Sequence, residues 1–213
     1  MIQIFLKAKH WQLFLLIFVL PLFIYFGWLI SFLGDFIHEA MYESDELPVD
    51  FFSSFVTMLA LMIIPIAIQY AWFWSMAIGL QKKLPADVKM NVPLFKAFFI
   101  IPLVYGLLYL LFLISFFSNI ERLEDLEHME DFSNIGWLIG GIFIFITLSL
   151  FVMVCTFYQY WFIAKTIKCA DQQKDLRFGD FVGEFFLVWF YPIGVWILQP
   201  MINRILERDS QKE

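Results

Sequence analysis

Residues 11–33 read WQLFLLIFVLPLFIYFGWLISFL and contain no charged side chain. Such a run is long enough to cross a bilayer as a helix, because the hydrocarbon layer needs about 20 predominantly apolar residues. A secretory signal peptide has a shorter apolar region, of about 7–15 residues, and ends in a small-residue cleavage motif that does not follow here. The stretch therefore predicts a retained transmembrane helix.

The rest of the chain has the same apolar character. Of its 213 residues, 62% are hydrophobic and 16% are charged, whereas soluble domains contain about 25% charged residues. Further uncharged runs cover residues 51–80, 97–118 and 132–164. The sequence predicts an all-α, polytopic membrane helix bundle with four transmembrane helices, forming a single membrane domain over residues 1–213.

The distribution of charge predicts the orientation, since basic residues in short loops stay on the cytoplasmic side. Lysines precede the first run, fill the second connection and follow the fourth run. The first connection, residues 34–50, carries acids and no Lys or Arg, and the third, residues 119–131, carries six acids and one Arg. Both termini are therefore expected in the cytoplasm. The acidic loops, with His38 and His128, are expected to be solvated caps rather than a metal site.

Residues 181–202 form a fifth apolar stretch, which two prolines and a glycine interrupt. Basic residues flank the stretch on both sides, so a crossing would place Arg204 and Arg208 on the outer side, against the usual charge rule. The sequence therefore favours a proline-broken, re-entrant or interfacial helical segment over residues 178–203. The alternative is a genuine fifth transmembrane helix.

The two halves of the chain share a pattern. The sequence LISF occurs at residues 29–32 and again at residues 113–116, each time before an acidic loop. Each half also has the same order of apolar run, acidic loop, long apolar run and basic segment. A duplicated helical hairpin explains this order, with one repeat over about residues 1–90 and the other over about residues 91–175.

Small residues mark the faces on which the helices are expected to pack. Lipid tails are as apolar as leucine, so transmembrane helices associate through close backbone packing and a few polar contacts. The second run carries a small residue at every fourth position, and the fourth run opens with a G-x-x-x-G pair. These residues are Ala67, Ala71, Ser75 and Gly79, and Gly136 and Gly140. The sequence leaves open whether these faces meet another helix of this chain or of a second chain.

Polar groups in the apolar stretches are expected to be paired within the chain. Gln159 is expected to form an interhelical hydrogen bond. Asp180 and Glu184 lie four residues apart at the start of the fifth stretch. Because a buried acid needs an opposite charge, we expect a salt bridge to Arg177 or Lys165.

The sequence shows no catalytic machinery. None of the four runs contains Asp, Glu, Lys, Arg or His between its ends, whereas proton relays and ion-coupled transport need ionisable groups at depth. No P-loop, G-x-S-x-G, G-x-G-x-x-G or H-E-x-x-H motif occurs. We therefore expect no enzymatic activity, no cofactor and no catalytic metal. The sparse basic residues also argue against a nucleic-acid partner.

Two segments carry a family resemblance. Residues 7–14 read KAKHWQLF and residues 192–203 read PIGVWILQPMIN, and together they resemble uncharacterised small multi-pass membrane proteins of Bacteroidota. The resemblance implies a bacterial inner-membrane location and transfers no catalytic residue. We expect any site to lie on the cytoplasmic face, where the two segments could meet. The candidate residues are Lys7, Lys9, His10, Trp11, Asp180, Glu184, Pro192, Gln199, Asn203 and Arg204.

These observations favour a non-enzymatic helix bundle that acts through protein-protein contacts, as an accessory or scaffold subunit. One alternative is a channel or transporter for a neutral or amphipathic solute, with the broken fifth stretch as a gate. Another is a membrane-disrupting defence effector. The expected partners are the lipid bilayer and either a second copy of the chain or another membrane protein.

Overall fold

The described part of the chain, residues 2–42, 49–118 and 132–210 of this computed structural model, is helical apart from short turns and contains no strand. A π-helical turn, Leu15–Val19, joins α2 to α3, and a 3-10 turn, Gln81–Lys83, follows α4. The helices are α1 Ile2–Lys7, α2 His10–Phe14, α3 Leu20–Tyr42, α4 Val49–Gly79, α5 Val92–Ser118, α6 Phe132–Gln172, α7 Phe178–Trp189 and α8 Tyr191–Ser210. The predicted all-α fold is confirmed.

Four helical stretches are long and apolar enough to cross a membrane, as predicted. They are His10–His38, Phe55–Lys83, Val92–Ser115 and Phe143–Gln172. The first combines α2, the π-helical turn and most of α3. The hydrocarbon layer holds no water, so a backbone that crosses it must form its hydrogen bonds internally, as a helix does. Most of the side chains in these stretches are not buried within the chain, as expected for surfaces that face lipid.

The chain divides into two compact units. Unit 1 contains Met1–Met90 and Tyr160–Glu213, and unit 2 contains Asn91–Gln159. The helix α6 begins in unit 2 and ends in unit 1. The duplication of residues 1–90 and 91–175 stays a prediction.

In unit 2, α5 and the first part of α6 form an antiparallel pair. Gln159 Nε2 donates to the backbone oxygen of Phe98 over 2.9 Å, which is the interhelical bond expected for Gln159. Two turns further along α5, Tyr105 Oη and Ser149 Oγ lie 2.6 Å apart. Both bonds join α5 to α6, so the polar groups at these positions hold the pair together.

The core of unit 1 lies toward one end of its helices. At this end α1 finishes at Lys7, and Lys82 and Lys83 follow α4; we call it the basic end. Fully buried side chains from α4, α6 and α8 pack there. They include Trp72, Met76, Leu80, Phe162, Ile163, Ile167, Leu198 and Ile202.

The fifth apolar stretch forms two packed helices, α7 and α8, rather than one long helix. The backbone leaves the helical conformation at Phe190, whose φ is −91° and ψ is 56°. At the end of α8, Arg208 Nη1 lies 3.1 Å from Asp171 Oδ1, close to the end of α6. The segment therefore starts and finishes at the same end of α6. This geometry agrees with the returning segment and disagrees with a fifth crossing.

The break in this segment has a different cause from the one the sequence indicated. Pro192 lies in the first turn of α8, where a missing N–H costs nothing, and Pro200 lies inside α8, which continues past it. The turn instead depends on Gly194, since a Cβ at this residue would collide with the backbone oxygen of Leu187. Close approach of the two helices at Phe190 therefore requires glycine.

The small residues of α4 differ in their surroundings. A Cβ at Gly79 would lie 2.7 Å from Ile2 Cγ2 and 2.7 Å from Leu6 Cδ1, so α1 packs directly on this glycine. Ser75 is buried and donates to the backbone oxygen of Ala71 over 2.7 Å, whereas Ala67 is exposed. The stripe thus meets a helix of its own chain at the basic end.

The glycine pair of α6 lies in a different setting. Among the described residues, no atom comes within 4 Å of a Cβ built on Gly140. The surroundings of Gly136 lie outside the described residues. Gly140 therefore packs on no described helix of this chain.

Candidate functional site

The side chain of Gln199 lies where the N-terminal and C-terminal segments of unit 1 meet. It is fully buried. Its Nε2 lies 3.1 Å from Phe5 O, 2.9 Å from Leu6 O and 3.0 Å from Ala8 O. These carbonyls are at the end of α1, where a helix leaves its carbonyl groups without intrahelical partners. An amide NH2 has two hydrogens, so Gln199 donates to two of these groups at a time and holds α1 on α8.

The oxygen of the same amide binds α4. Trp72 Nε1 donates to Gln199 Oε1 over 2.9 Å, and both side chains are fully buried. Asn203, one turn further along α8, extends the network, because its Oδ1 lies 3.3 Å from Gln199 Nε2. A buried polar group without a partner costs about 1–3 kcal/mol. The network therefore favours one arrangement of α1, α4 and α8.

Aromatic packing joins the start of the first membrane-capable stretch to α8. The ring centroids of His10 and Trp196 lie 4.8 Å apart. Trp196 is itself 47% exposed, so the contact forms part of the surface. Of the other predicted site residues, Trp11 and Arg204 are exposed and Pro192 is half-buried.

The two predicted carboxylates have separate roles. Glu184, buried in α7, accepts a hydrogen bond from Lys168 Nζ over 2.6 Å. The expectation that Glu184 pairs with Arg177 or Lys165 is therefore wrong. Asp180 is exposed and accepts a 3.0 Å bond from the backbone N–H of Arg177, which caps the start of α7. Neither contact includes a residue of the Gln199 network.

A second ion pair lies just beyond α6. Lys165 Nζ lies 3.0 Å from Asp175 Oδ1, and the aspartate side chain is 55% exposed. The hydrogen bond from Lys165 holds the pKa of Asp175 below its ordinary value. This pair holds the loop after α6 against that helix. Because it is exposed, it is weaker than the pair of Lys168 and Glu184.

A pocket of about 630 Å³ opens at the basic end of unit 1. Its charged and amide lining residues are Gln3, Lys7, Lys9, Lys82, Lys83, Asn203 and Glu207; we call it the lysine pocket. The four ammonium groups come from the two ends of a stretch of more than 70 residues, so only folding places them around one space. The sequence predicts Lys7, Lys9 and Asn203 as site residues, whereas Lys82 and Lys83 indicate only the orientation there.

A smaller pocket of about 170 Å³ has two lining residues in common with the lysine pocket. It also is lined by Lys82 and Lys83, with Gln173 just after α6 and Arg208 near the end of α8. Gln173 Nε2 donates to the backbone oxygen of Lys83 over 2.9 Å. Lys82 and Lys83 therefore lie between two concave surfaces at the basic end.

Away from the basic end, α3 and α4 together line a cleft of about 480 Å³. Apolar side chains line most of it, including Phe23 and Leu61. Its other lining residues include Gly27, Ser31 and Thr57, which are small or carry a hydroxyl. We call it the α3/α4 cleft.

The described residues contain no group of three or more His, Cys, Asp or Glu side chains able to hold a metal ion. The third connection, residues 119–131, which includes His128, lies outside the described residues, as do residues 43–48 of the first. What the described sites offer is positive charge around a pocket and a cleft between helices. Such features can bind a charged ligand or a partner helix.

Comparison with protein-family models, with curated proteins and with solved structures finds no match to this chain. The resemblance to membrane proteins of Bacteroidota stays a prediction.

Proposed function

We propose that the protein is a non-enzymatic helix bundle of a bacterial inner membrane that acts through protein contacts, as an accessory or scaffold subunit. The observation that carries this proposal is the α3/α4 cleft. Its proposed occupant is a transmembrane helix of another membrane protein.

The lining of the cleft favours a helix over a lipid tail. At Gly27, a Cβ would meet no described atom within 4 Å, so a neighbouring backbone can approach closely. Ser31 is exposed, and its hydroxyl forms no hydrogen bond with the described residues. Small residues and hydroxyl groups are the usual contacts between transmembrane helices, whereas a lipid tail offers no hydrogen-bond partner.

The polar groups inside the bundle support a contact role over solute transport. A channel for a neutral solute needs polar groups that face its path. Gln159 is buried and donates to Phe98 O. Thr147 and Thr156 donate to backbone oxygens of their own helix. All three side chains are therefore already hydrogen-bonded, Gln159 between two helices and the two threonines within α6.

Site-specific photo-crosslinking tests the proposed contact. The crosslinker p-benzoylphenylalanine replaces Phe23, which lines the α3/α4 cleft and is 72% exposed, in the native membrane. The control carries it at Phe26, on the same helix but outside the lining of the cleft. We expect one discrete protein adduct from Phe23, identified by mass spectrometry, and at least fivefold less from Phe26.

A second pair of variants tests the geometry of the cleft. Gly27→Leu fills the cleft and is expected to abolish the adduct at Phe23. Gly34→Leu is the matched control, because Gly34 also has open space at its Cβ but does not line the cleft. Lipid adducts alone at Phe23, or equal adducts in both glycine variants, would refute the proposal.

A further inference from the structure

The lysine pocket lies beside the ends of two membrane-capable stretches, where lipid headgroups meet a spanning helix. The first membrane-capable stretch begins at His10, directly after Lys9, and the second ends at Lys83. The pocket lysines therefore border the ends of two apolar stretches. Leu6 and Leu206 also line the pocket, so charged and apolar surfaces meet within it.

The positive charge of the pocket is poorly balanced by the protein. Its lining includes four lysines and one acidic residue, Glu207. Lys7, Lys9 and Lys82 form no ion pair with any residue in the described ranges. A cleft lined by charges of one sign focuses the field and raises the local concentration of counter-ions. An anionic ligand would supply the missing charge.

We propose that the lysine pocket binds the phosphate group of an anionic phospholipid, with its glycerol backbone against Leu6 and Leu206. A lysine ammonium donates up to three hydrogen bonds and binds phosphate as a point charge. Basic pockets between transmembrane helices are a known mode of recognition for anionic headgroups. A pocket of about 630 Å³ has room for the headgroup and glycerol of one lipid.

The inference goes beyond the proposed function, because the pocket and the α3/α4 cleft share no lining residue. Loss of lipid binding leaves the protein contact intact, and loss of the contact leaves lipid binding intact. The two proposals therefore fail separately.

Native mass spectrometry of the full-length protein in detergent measures the lipid retained. The probes are phosphatidylglycerol and cardiolipin, with phosphatidylcholine as the neutral lipid. We expect wild-type protein to retain the anionic lipids. The variant Lys7→Gln/Lys9→Gln/Lys82→Gln is expected to bind them on the order of 100-fold more weakly, about fivefold for each lysine removed.

A matched variant separates the pocket from general charge. Lys89→Gln/Lys96→Gln/Lys174→Gln removes the same charge from exposed lysines that do not line the pocket. It is expected to bind anionic lipid within about threefold of wild type. Equal weakening in both triple variants, or no weakening in either, would overturn the proposal.

Inorganic phosphate distinguishes a lipid from a soluble source of the same group. If the pocket serves a lipid, phosphate at 10-fold excess over the lipid does not displace it. Phosphate could instead raise the melting temperature of wild type but not of the pocket variant, while lipids change neither. The pocket would then be a phosphate site for a soluble ligand. If neither phosphate nor anionic lipid affects wild type more than the pocket variant, the site is refuted.

One variant is expected to strengthen the binding of anionic lipid, a result that a folding defect would not produce. Glu207→Gln removes the carboxylate that lines the pocket. It is expected to retain anionic lipid about fivefold more strongly than wild type, because one repulsive charge is gone. Unchanged or weaker binding would count against the pocket as the binding site.

Discussion

Trp72 and Gln199 are joined by a buried 2.9 Å hydrogen bond from the indole Nε1 to the amide Oε1, although 127 residues separate them in the chain. Through Gln199 this bond extends to the carbonyl groups at the end of α1. One amide thus connects the first helix, the second membrane-capable stretch and the last helix of unit 1.

Replacing Gln199 by leucine is expected to lower the free energy of unfolding by about 2–4 kcal/mol. The reason is that the Trp72 N–H and the α1 carbonyls would remain buried without partners, at about 1–3 kcal/mol each. Unfolding in mixed micelles measures the loss. Gln69→Leu is the control, since Gln69 is half-buried and forms no hydrogen bond with the described residues. An equal loss in both variants would show that the network is unimportant.

Replacing Glu184 by alanine is expected to destabilise unit 1 by about 2–4 kcal/mol, because Lys168, whose side chain is 19% exposed, would lose its counter-charge. The double variant Lys168→Met/Glu184→Leu should recover most of this loss, since neither charge remains. Thermal unfolding measures both. If the double variant is as unstable as Glu184→Ala, packing rather than charge is responsible.

The pair of Lys165 and Asp175 predicts a pH dependence. The hydrogen bond from Lys165 lowers the pKa of Asp175 in the folded state, so the pair stabilises the fold above the unfolded pKa of about 3.9. The contribution is lost as the pH falls through the lowered folded pKa. The melting temperature of wild type should therefore exceed that of Asp175→Asn at pH 6 and converge with it toward pH 2. A constant difference across this range would contradict the assignment.

Replacing Gly194 by alanine is expected to disrupt the turn between α7 and α8. The added Cβ would collide with the backbone oxygen of Leu187, which cannot move without shifting the end of α7. Faster proteolysis near Phe190 and a lower melting temperature are the expected results. Gly183→Ala is the control, because its Cβ meets no described atom within 4 Å and alanine favours a helix. Equal behaviour of the two variants would exclude the turn as the cause.

Cysteine labelling tests which side of the membrane holds the basic end. Cys155 and Cys169 are buried, so single exposed cysteines can be introduced against a silent background. Lys89→Cys and Arg204→Cys are expected to react with a membrane-impermeant maleimide in inverted vesicles only, and Asp35→Cys in intact cells only. Reaction of Arg204→Cys in intact cells would place the end of α8 on the outer side.

Part of the candidate site could be expected from the sequence and part could not. The sequence places Gln199 and Asn203 in a returning segment and brings it near residues 7–14, because both segments carry polar groups beside apolar runs. It does not identify Trp72 as the partner of Gln199, because a tryptophan near the end of a transmembrane helix is equally typical of a membrane anchor. The partner of Glu184 is also missed. Arg177 is nearer to Glu184 along the chain, but the fold places Lys168 Nζ 2.6 Å from its carboxylate.

The sequence by itself determined the helical, membrane-spanning character of the chain, because a bilayer constrains each stretch of about 20 residues separately. Hydropathy is a local property and needs no neighbour. Tertiary structure alone decided which helix ends meet, and therefore the bond from Trp72 to Gln199, the turn at Phe190 and the lysine pocket. These features depend on distances between residues that are far apart in the chain. Apolar helix surfaces pack on one another with little preference for one arrangement, and polar partners then select it.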